Sequence, residues 1–171
     1  VWIAASTHPG EDAPVLAAHK TLRAQKPDAL LILVPRHPER FDGVADQVRE
    51  AGLSVARRSQ QEPAADAAVY LADTMGELLM LFGACDVAFV GGSLVPVGGH
   101  NLLEPAAWEK PVLTVPFFSD VIVSSVVVFW AGGLSGVCMG ALVGFWLQAF
   151  GVGAGSLSVL VACETKAPCV W

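Results

Sequence analysis

Asn101 and Glu104 close a loop that carries glycines at 91, 92, 98 and 99. Glycine permits positive φ and lets a ligand approach the backbone closely. An apolar run over 87–90 feeds the loop, and a helical pattern follows it at Leu102, Leu103, Ala106 and Ala107. A helix start offers free N–H groups and partial positive charge, which suit a phosphate. Glu104, early in that helix, could accept hydrogen bonds from sugar hydroxyls. These residue types describe a site for a sugar or nucleoside phosphate at the carboxyl end of a strand. A second reading stays open: Asn101-Leu102-Leu103-Glu104 also fits a capping box, with Asn as N-cap and Glu at the third helical position. The paired glycines favour a ligand, because a cap does not need them.

The elements that must position this loop follow from periodicity. Apolar strand runs fall at about 1–5, 29–34, 53–56, 68–72, 86–90 and 111–115. Helical patterns lie between most of them, at about 12–25, 39–51, 75–84 and 101–108. Short buried strands alternating with helices indicate βαβ units, hence an α/β fold: a Rossmann-like parallel sheet with helices on both faces. Right-handed crossovers put every strand-to-helix loop on one edge of the sheet, where such sheets bind ligands. The loops concerned are 6–11, 35–39, 73–77 and 91–101, all rich in Gly, Pro, His or charge.

With 171 residues the chain can form one domain with a real core. A net charge of −6 and the lack of a basic cluster argue against a nucleic-acid partner. Arg57-Arg58 and the loop between Arg36 and Arg40 are too small to follow a phosphate backbone. The cysteines at 85, 138, 163 and 169 are scattered, so neither a zinc site nor a disulfide framework is expected, and a reducing compartment is the default. The sequence shows no initiator Met and no signal peptide, and it opens on a strand-like run, as the middle of a longer protein would.

Composition changes abruptly near residue 117. Beyond it the only charged side chains are Asp120, Glu164 and Lys166. We therefore expect a domain over 1–117 and an atypical apolar tail over 118–171. Residues 121–150 carry no charge, a stretch long enough to span a bilayer. They lack the basic flanks that orient a membrane span. Their Val, Gly, Trp, Cys and Phe content also fits a GC-rich gene read out of frame. A membrane-associated segment, a frame error and an unusual buried core all remain open.

The front part resembles the C-terminal domain of 3-deoxy-D-manno-octulosonic acid (Kdo) transferases. The pieces that carry the resemblance are Ser6-Thr7-His8-Pro9-Gly10-Glu11, Pro35-Arg36-His37-Pro38-Glu39-Arg40-Phe41 and Asp73-Thr74-Met75-Gly76-Glu77. They continue with Phe89-Val90-Gly91-Gly92-Ser93-Leu94, Gly98-Gly99-His100-Asn101-Leu102-Leu103-Glu104-Pro105 and Lys110-Pro111-Val112-Leu113. The resemblance implies one half of a two-domain, B-type glycosyltransferase that moves Kdo from CMP-Kdo to a lipid A precursor in lipopolysaccharide synthesis. It implies CMP contacts at Pro35, Arg36, Met75, Gly76, Glu77, Asn101, Leu102, Leu103 and Glu104. Arg36, planar and permanently charged, would meet the cytosine edge or the phosphate. Met75, Gly76 and Glu77 would open the helix after the fourth strand, where Thr74 and Glu77 also fit a capping box. Leu102 and Leu103 would supply backbone groups and packing. His8, Gly92, Ser93, Gly99 and His100 are further candidates for donor contact, and His19 and His37 have no special case.

The resemblance also implies a second domain bearing a membrane anchor, the lipid acceptor surface and a glutamate general base. No residue of this chain can be assigned to that base. Half a cleft cannot orient two substrates, so the chain by itself is expected to lack transferase activity. No cofactor or metal is called for, since helix dipoles and basic groups can meet the leaving-group charge. The expected location is the cytoplasmic face of the bacterial inner membrane. The alternatives are another B-type glycosyltransferase or an epimerase using a UDP-sugar, and a non-catalytic nucleotide-binding module tethered by the tail.

Overall fold

The computed structural model describes residues 1–114 and the two strands 127–130 and 160–163. Six parallel strands form its centre: β1 (Trp2–Thr7), β2 (Leu31–Pro35), β3 (Val55–Arg57), β4 (Val69–Leu71), β5 (Val87–Val90) and β6 (Val112–Thr114). Their spatial order is β3-β4-β2-β1-β5-β6. Beyond β6 the sheet continues with β7 (Val127–Trp130), antiparallel to β6, and β8 (Leu160–Cys163), parallel to β7. The rest of the expected tail lies outside the described residues, and the expectations about it with it. Among the described residues no helix is long and apolar enough to cross a membrane.

The central strands are buried on both faces. Every residue of β2 and β5 is buried. One face packs Trp2, Ala4, Leu31, Leu33, Val69, Leu71 and Phe89 against Val15, Leu16 and Ala18 of α1 (Asp12–Gln25) and Val44, Ala45 and Val48 of α2 (Phe41–Glu50). The other packs Ile3, Ala5, Ile32, Val34, Ala72 and Ala88 against Leu81 and Phe82 of α3 (Leu78–Gly83). Helices therefore cover both faces, as the alternating pattern predicts. Burying an aliphatic or Phe side chain contributes about 1.5–3 kcal/mol, so these two layers hold the sheet. A buried cross-brace joins them to the backbone: the Trp2 indole donates to His19 Nδ1 (3.0 Å), and His19 Nε2 donates to the Ala68 carbonyl (2.8 Å).

Three predicted helices start late. The segment expected over 39–51 opens as a single 3-10 turn, Pro38–Arg40, before α2 begins at Phe41. Pro38 suits such a first turn because it has no N–H to satisfy. The segment expected over 75–84 begins only at Leu78, because Gly76 takes φ +83° and cannot be helical. The segment expected over 101–108 shrinks to α4 (Leu103–Ala107). The strand expected over 1–5 instead runs on to Thr7, past a register shift where Ser6 takes φ +56°.

Chain direction reverses between β1 and β5. From β1 the chain moves outward to β2 and on to β3 at the edge, steps back to β4 between them, then crosses to the far side of β1 as β5. The strand order therefore switches between β1 and β5, the usual place of the ligand crevice in open α/β sheets.

Candidate functional site

The crevice is built around Glu11, a buried carboxylate just ahead of α1. Its Oε2 accepts from the amides of His8 (2.8 Å) and Gly92 (2.8 Å). Its Oε1 accepts from the amides of Ser93 (3.1 Å) and Leu94 (2.9 Å). One carboxylate thus ties the loop after β1 to the loop after β5. Charge-assisted bonds of this kind are roughly twice as strong as neutral ones. Gly91 makes the close approach possible. A Cβ there would stand 2.6 Å from the Ser6 carbonyl oxygen and 2.9 Å from Glu11 Oε2.

The same loop then folds back on itself. The Gly99 amide donates to the Gly92 carbonyl (2.8 Å), with both glycines at positive φ. This turn lays His100 over Gly92 and against His8, with the two Nε2 atoms 2.7 Å apart. His37 meets His8 edge-on, with ring centroids 5.4 Å apart. Burial lowers the pKa of both His8 and His100. Arg36 and the His37 ring push the same way, and Glu11 opposes them.

Arg36 is exposed and makes no ion pair among the described residues. Its amide donates to the Thr7 carbonyl (3.0 Å), which pins the start of the β2 loop beside β1. Pro35 is buried at the end of β2. Arg40, by contrast, is engaged: it donates to the Thr7 carbonyl and to Asp12. Burial raises the Asp12 pKa against the opposing bonds from Thr7 and Arg40.

At the β4 loop, Glu77 is already bound. Arg58 donates to both its oxygens (2.8 and 3.2 Å) and Thr74 donates through its hydroxyl. Those bonds hold its carboxyl well below the usual range, at about 2. Met75, Gly76 and Glu77 therefore form the turn before α3 rather than its first turn, and the Thr74–Glu77 bond caps no helix start. Met75 is left 59 % exposed with an open side chain.

The Asn101–Glu104 box is also corrected. Leu102, not Asn101, is the cap of α4, and Asn101 Oδ1 accepts from the Leu103 amide (3.0 Å) in a tighter turn. Asn101 Nδ2 reaches Glu104 Oε1 at 3.4 Å, a long contact that leaves the carboxylate available. Leu103 is 76 % exposed, so the packing role expected of it is not seen. Gly92 and Ser93 lie at the crevice, but Glu11 occupies their amides, and the Ser93 hydroxyl donates to the Val90 carbonyl (2.8 Å). Neither offers a free donor there.

The structure thus brings His8, Arg36, Gly92, Gly99 and His100 together, with His37 added. Met75–Glu77 and Asn101–Glu104 leave the same edge of the sheet, after β4 and β5, with β2 and β1 between them. Glu11 is the main omission of the sequence reading. Three of its four amide partners lie 81–83 residues away, and no local pattern reports such a distance. Among the described residues no cluster of His, Cys, Asp or Glu is disposed to hold a metal ion.

Comparison with known proteins was informative through individual relatives, since no protein-family model matches the chain. The 3-deoxy-D-manno-octulosonic acid transferase of Haemophilus influenzae is 54% identical over 115 residues, covering 67% of this chain and 27% of that protein. Its Bordetella pertussis counterpart is 46% identical over 117 residues, covering 66% of this chain and 27% of the relative. The chain thus spans about a quarter of the length of the curated relatives it matches. Among solved structures, the C-terminal CMP-Kdo binding domain of WaaA from Acinetobacter baumannii superposes with a TM-score of 0.62 at 42% identity. That match covers 65% of this chain and 58% of the other. With the sheet order, the crevice and these relatives in agreement, the chain belongs to the 3-deoxy-D-manno-octulosonic acid transferase family and carries the Rossmann-like fold of that family's C-terminal domain.

Proposed function

We propose that this chain forms the donor half of a glycosyltransferase that moves Kdo from CMP-Kdo onto a lipid A precursor. The observation that carries the reading is the crevice between β1 and β5. His8, His100 and Arg36 lie there at the carboxyl edge of the sheet, which supports the reading in a chain whose relatives are Kdo transferases. Residues 1–117 act as the nucleotide-sugar domain in this reading.

CMP lies along the carboxyl ends of β2, β1 and β5. Arg36, unpaired and exposed, meets the phosphate or the cytosine edge with its planar fork. Glu104 accepts the ribose hydroxyls, and Asn101 steers its carboxylate. Leu102 and Leu103 contribute backbone groups. The β4 loop contributes the backbone of Met75 and Gly76, because the Glu77 carboxylate is held by Arg58 and Thr74. Gly99 allows the chain to turn close to the sugar. The cationic side chains around the phosphate favour departure of CMP by stabilising its developing charge. The lipid acceptor and the base that deprotonates it belong to a second domain facing this edge. The reaction then takes place at the cytoplasmic face of the inner membrane.

Calorimetric titration of CMP, with UMP as control, tests this reading. Saturable CMP binding is expected, weakened by about tenfold in Glu104→Ala through loss of a charged hydrogen bond. Equal affinity for UMP would favour a UDP-sugar enzyme and overturn the assignment of the donor.

A further inference from the structure

His8 and His100 face each other in a way that permits only one proton between them. Their Nε2 atoms are 2.7 Å apart and their ring planes differ by only 8°. Parallel rings joined at that distance cannot be stacked face to face, because their planes would be closer than van der Waals contact. They lie nearly edge to edge, with centroids 4.9 Å apart, so a proton on the N···N line points from one lone pair to the other. With no proton there, two lone pairs collide; with two, the hydrogens do. A neutral pair keeps one Nε2–H, given by one ring to the other. The accepting ring already carries its own proton on Nδ1, so one further proton goes to the free Nδ1 of the donating ring, and the pair becomes a cation with its bond intact. A second added proton must break the bond.

The surroundings weigh, on balance, against a charged pair while the crevice is empty. His37 and Arg36 approach from the loop after β2, as does Arg40, whose charge is met by Asp12. Glu11 approaches from the start of α1, with its oxygens bound to amides. Arg36 and Arg40 disfavour a charged pair and Glu11 favours one. Burial disfavours it too, so the empty pair has lowered pKa values. An anion arriving beside Arg36 and His37 reverses that balance.

We propose that His8 and His100 form a one-proton switch in the crevice, taking up a proton as an anionic oxygen of the donor docks against them beside His37 and Arg36. This inference rests on the donor reading above and deepens it. The anionic oxygen belongs either to the nucleotide phosphate or to the carboxylate of the sugar acid. In either case the pair recognises charge by acquiring it, so donor binding weakens as pH rises and product release is eased when the proton leaves.

Two measurements on the whole chain test the switch. The first is calorimetric titration near neutral pH in two buffers of different ionisation enthalpy, with CMP, cytidine and free Kdo as probes. CMP is expected to bind with proton uptake if the phosphate fills the subsite. Uptake with Kdo and none with CMP would assign the subsite to the carboxylate. Cytidine, which has neither group, is expected to bind without uptake. Affinity for the anionic probe should fall between about pH 6 and 8, by at most about tenfold per pH unit for one linked proton. His100→Gln, which keeps a hydrogen-bonding partner for His8, should remove the uptake. Saturable CMP and Kdo binding with identical heats in both buffers would overturn the switch and leave the donor reading standing. No binding of any probe to the folded chain would count against both. The second measurement is nitrogen NMR of the histidine rings without ligand. One shared Nε2 proton is expected; two rings titrating independently would overturn the proposal without reference to any ligand.

Discussion

Two buried carboxylates at the same sheet edge are satisfied in opposite ways. Glu11, in the crevice between β1 and β5, accepts four backbone amides from two loops. Asp73, at the end of β4, accepts from Arg57 Nε (2.6 Å), the Ser59 amide (2.7 Å) and the Ser59 hydroxyl (2.6 Å). Arg57 is in turn bridged to Asp42 of α2 (2.7 Å). Around Asp73 every charge is answered by another side chain, as it is for Arg58 and Glu77 nearby. Around Glu11 the backbone answers the charge, so Arg36 beside it is left without an ion pair among the described residues. The difference separates a rim that holds the fold together from a crevice that is organised yet chemically unfilled.

The largest effect is expected from Glu11→Gln. The new NH2 group must face two amide donors whichever way it turns, leaving buried N–H groups unmet. A stability loss of about 3 kcal/mol is expected from breaking charged, buried bonds, together with loss of CMP binding. Asp73→Asn should cost less, about 1–2 kcal/mol, because Ser59 can re-pair and Arg57 keeps Asp42. Denaturant titration of both variants checks the order, and the reverse order would break the comparison.

Acid titration sharpens it. Burial lowers the His19 pKa to about 4. A buried neutral base resists protonation that the unfolded chain accepts, so stability should decline as pH falls from about 6.5 towards 4, by about 3 kcal/mol at most. The Asp73 pKa is lowered: burial pushes it up, but the bonds from Ser59 and Arg57 prevail. Its contribution is therefore present above the ordinary carboxylate range and is lost only below that range. His19→Gln, which can still bridge Trp2 and Ala68, should flatten the first decline and leave the second.

The glycines of the two regions give the smaller effects. Gly91→Ala forces a Cβ against the fixed Ser6 carbonyl, and about 2 kcal/mol is expected from such overpacking. Gly76→Ala meets open space but takes on positive φ, which should cost about 1 kcal/mol. Thermal melts of the two variants test whether the crevice is the more tightly built region.

Much of the fold was legible in the chain itself. Apolar runs mark all six parallel strands, and helical periodicity marks α1 and α2 within a few residues. The motif residues Arg36, Met75–Glu77 and Asn101–Glu104 do gather on one edge. Helix starts were less legible, because Gly76 and Asn101 could each be read as inside a helix or before one. A capping box and an isolated turn share the same residue spacing, and only backbone angles tell them apart.

What the sequence determined alone was local: periodicity, turn residues and the order of the elements along the chain. Tertiary structure decided which strands became neighbours. The placement of β5 beside β1, on the side opposite β2, brings the amides of Gly92, Ser93 and Leu94 onto Glu11 and His100 onto His8. Those contacts span more than 80 residues of chain. Their free energy depends on a strand order that no local pattern encodes, so the chemistry of the crevice emerges only once the sheet has closed around it.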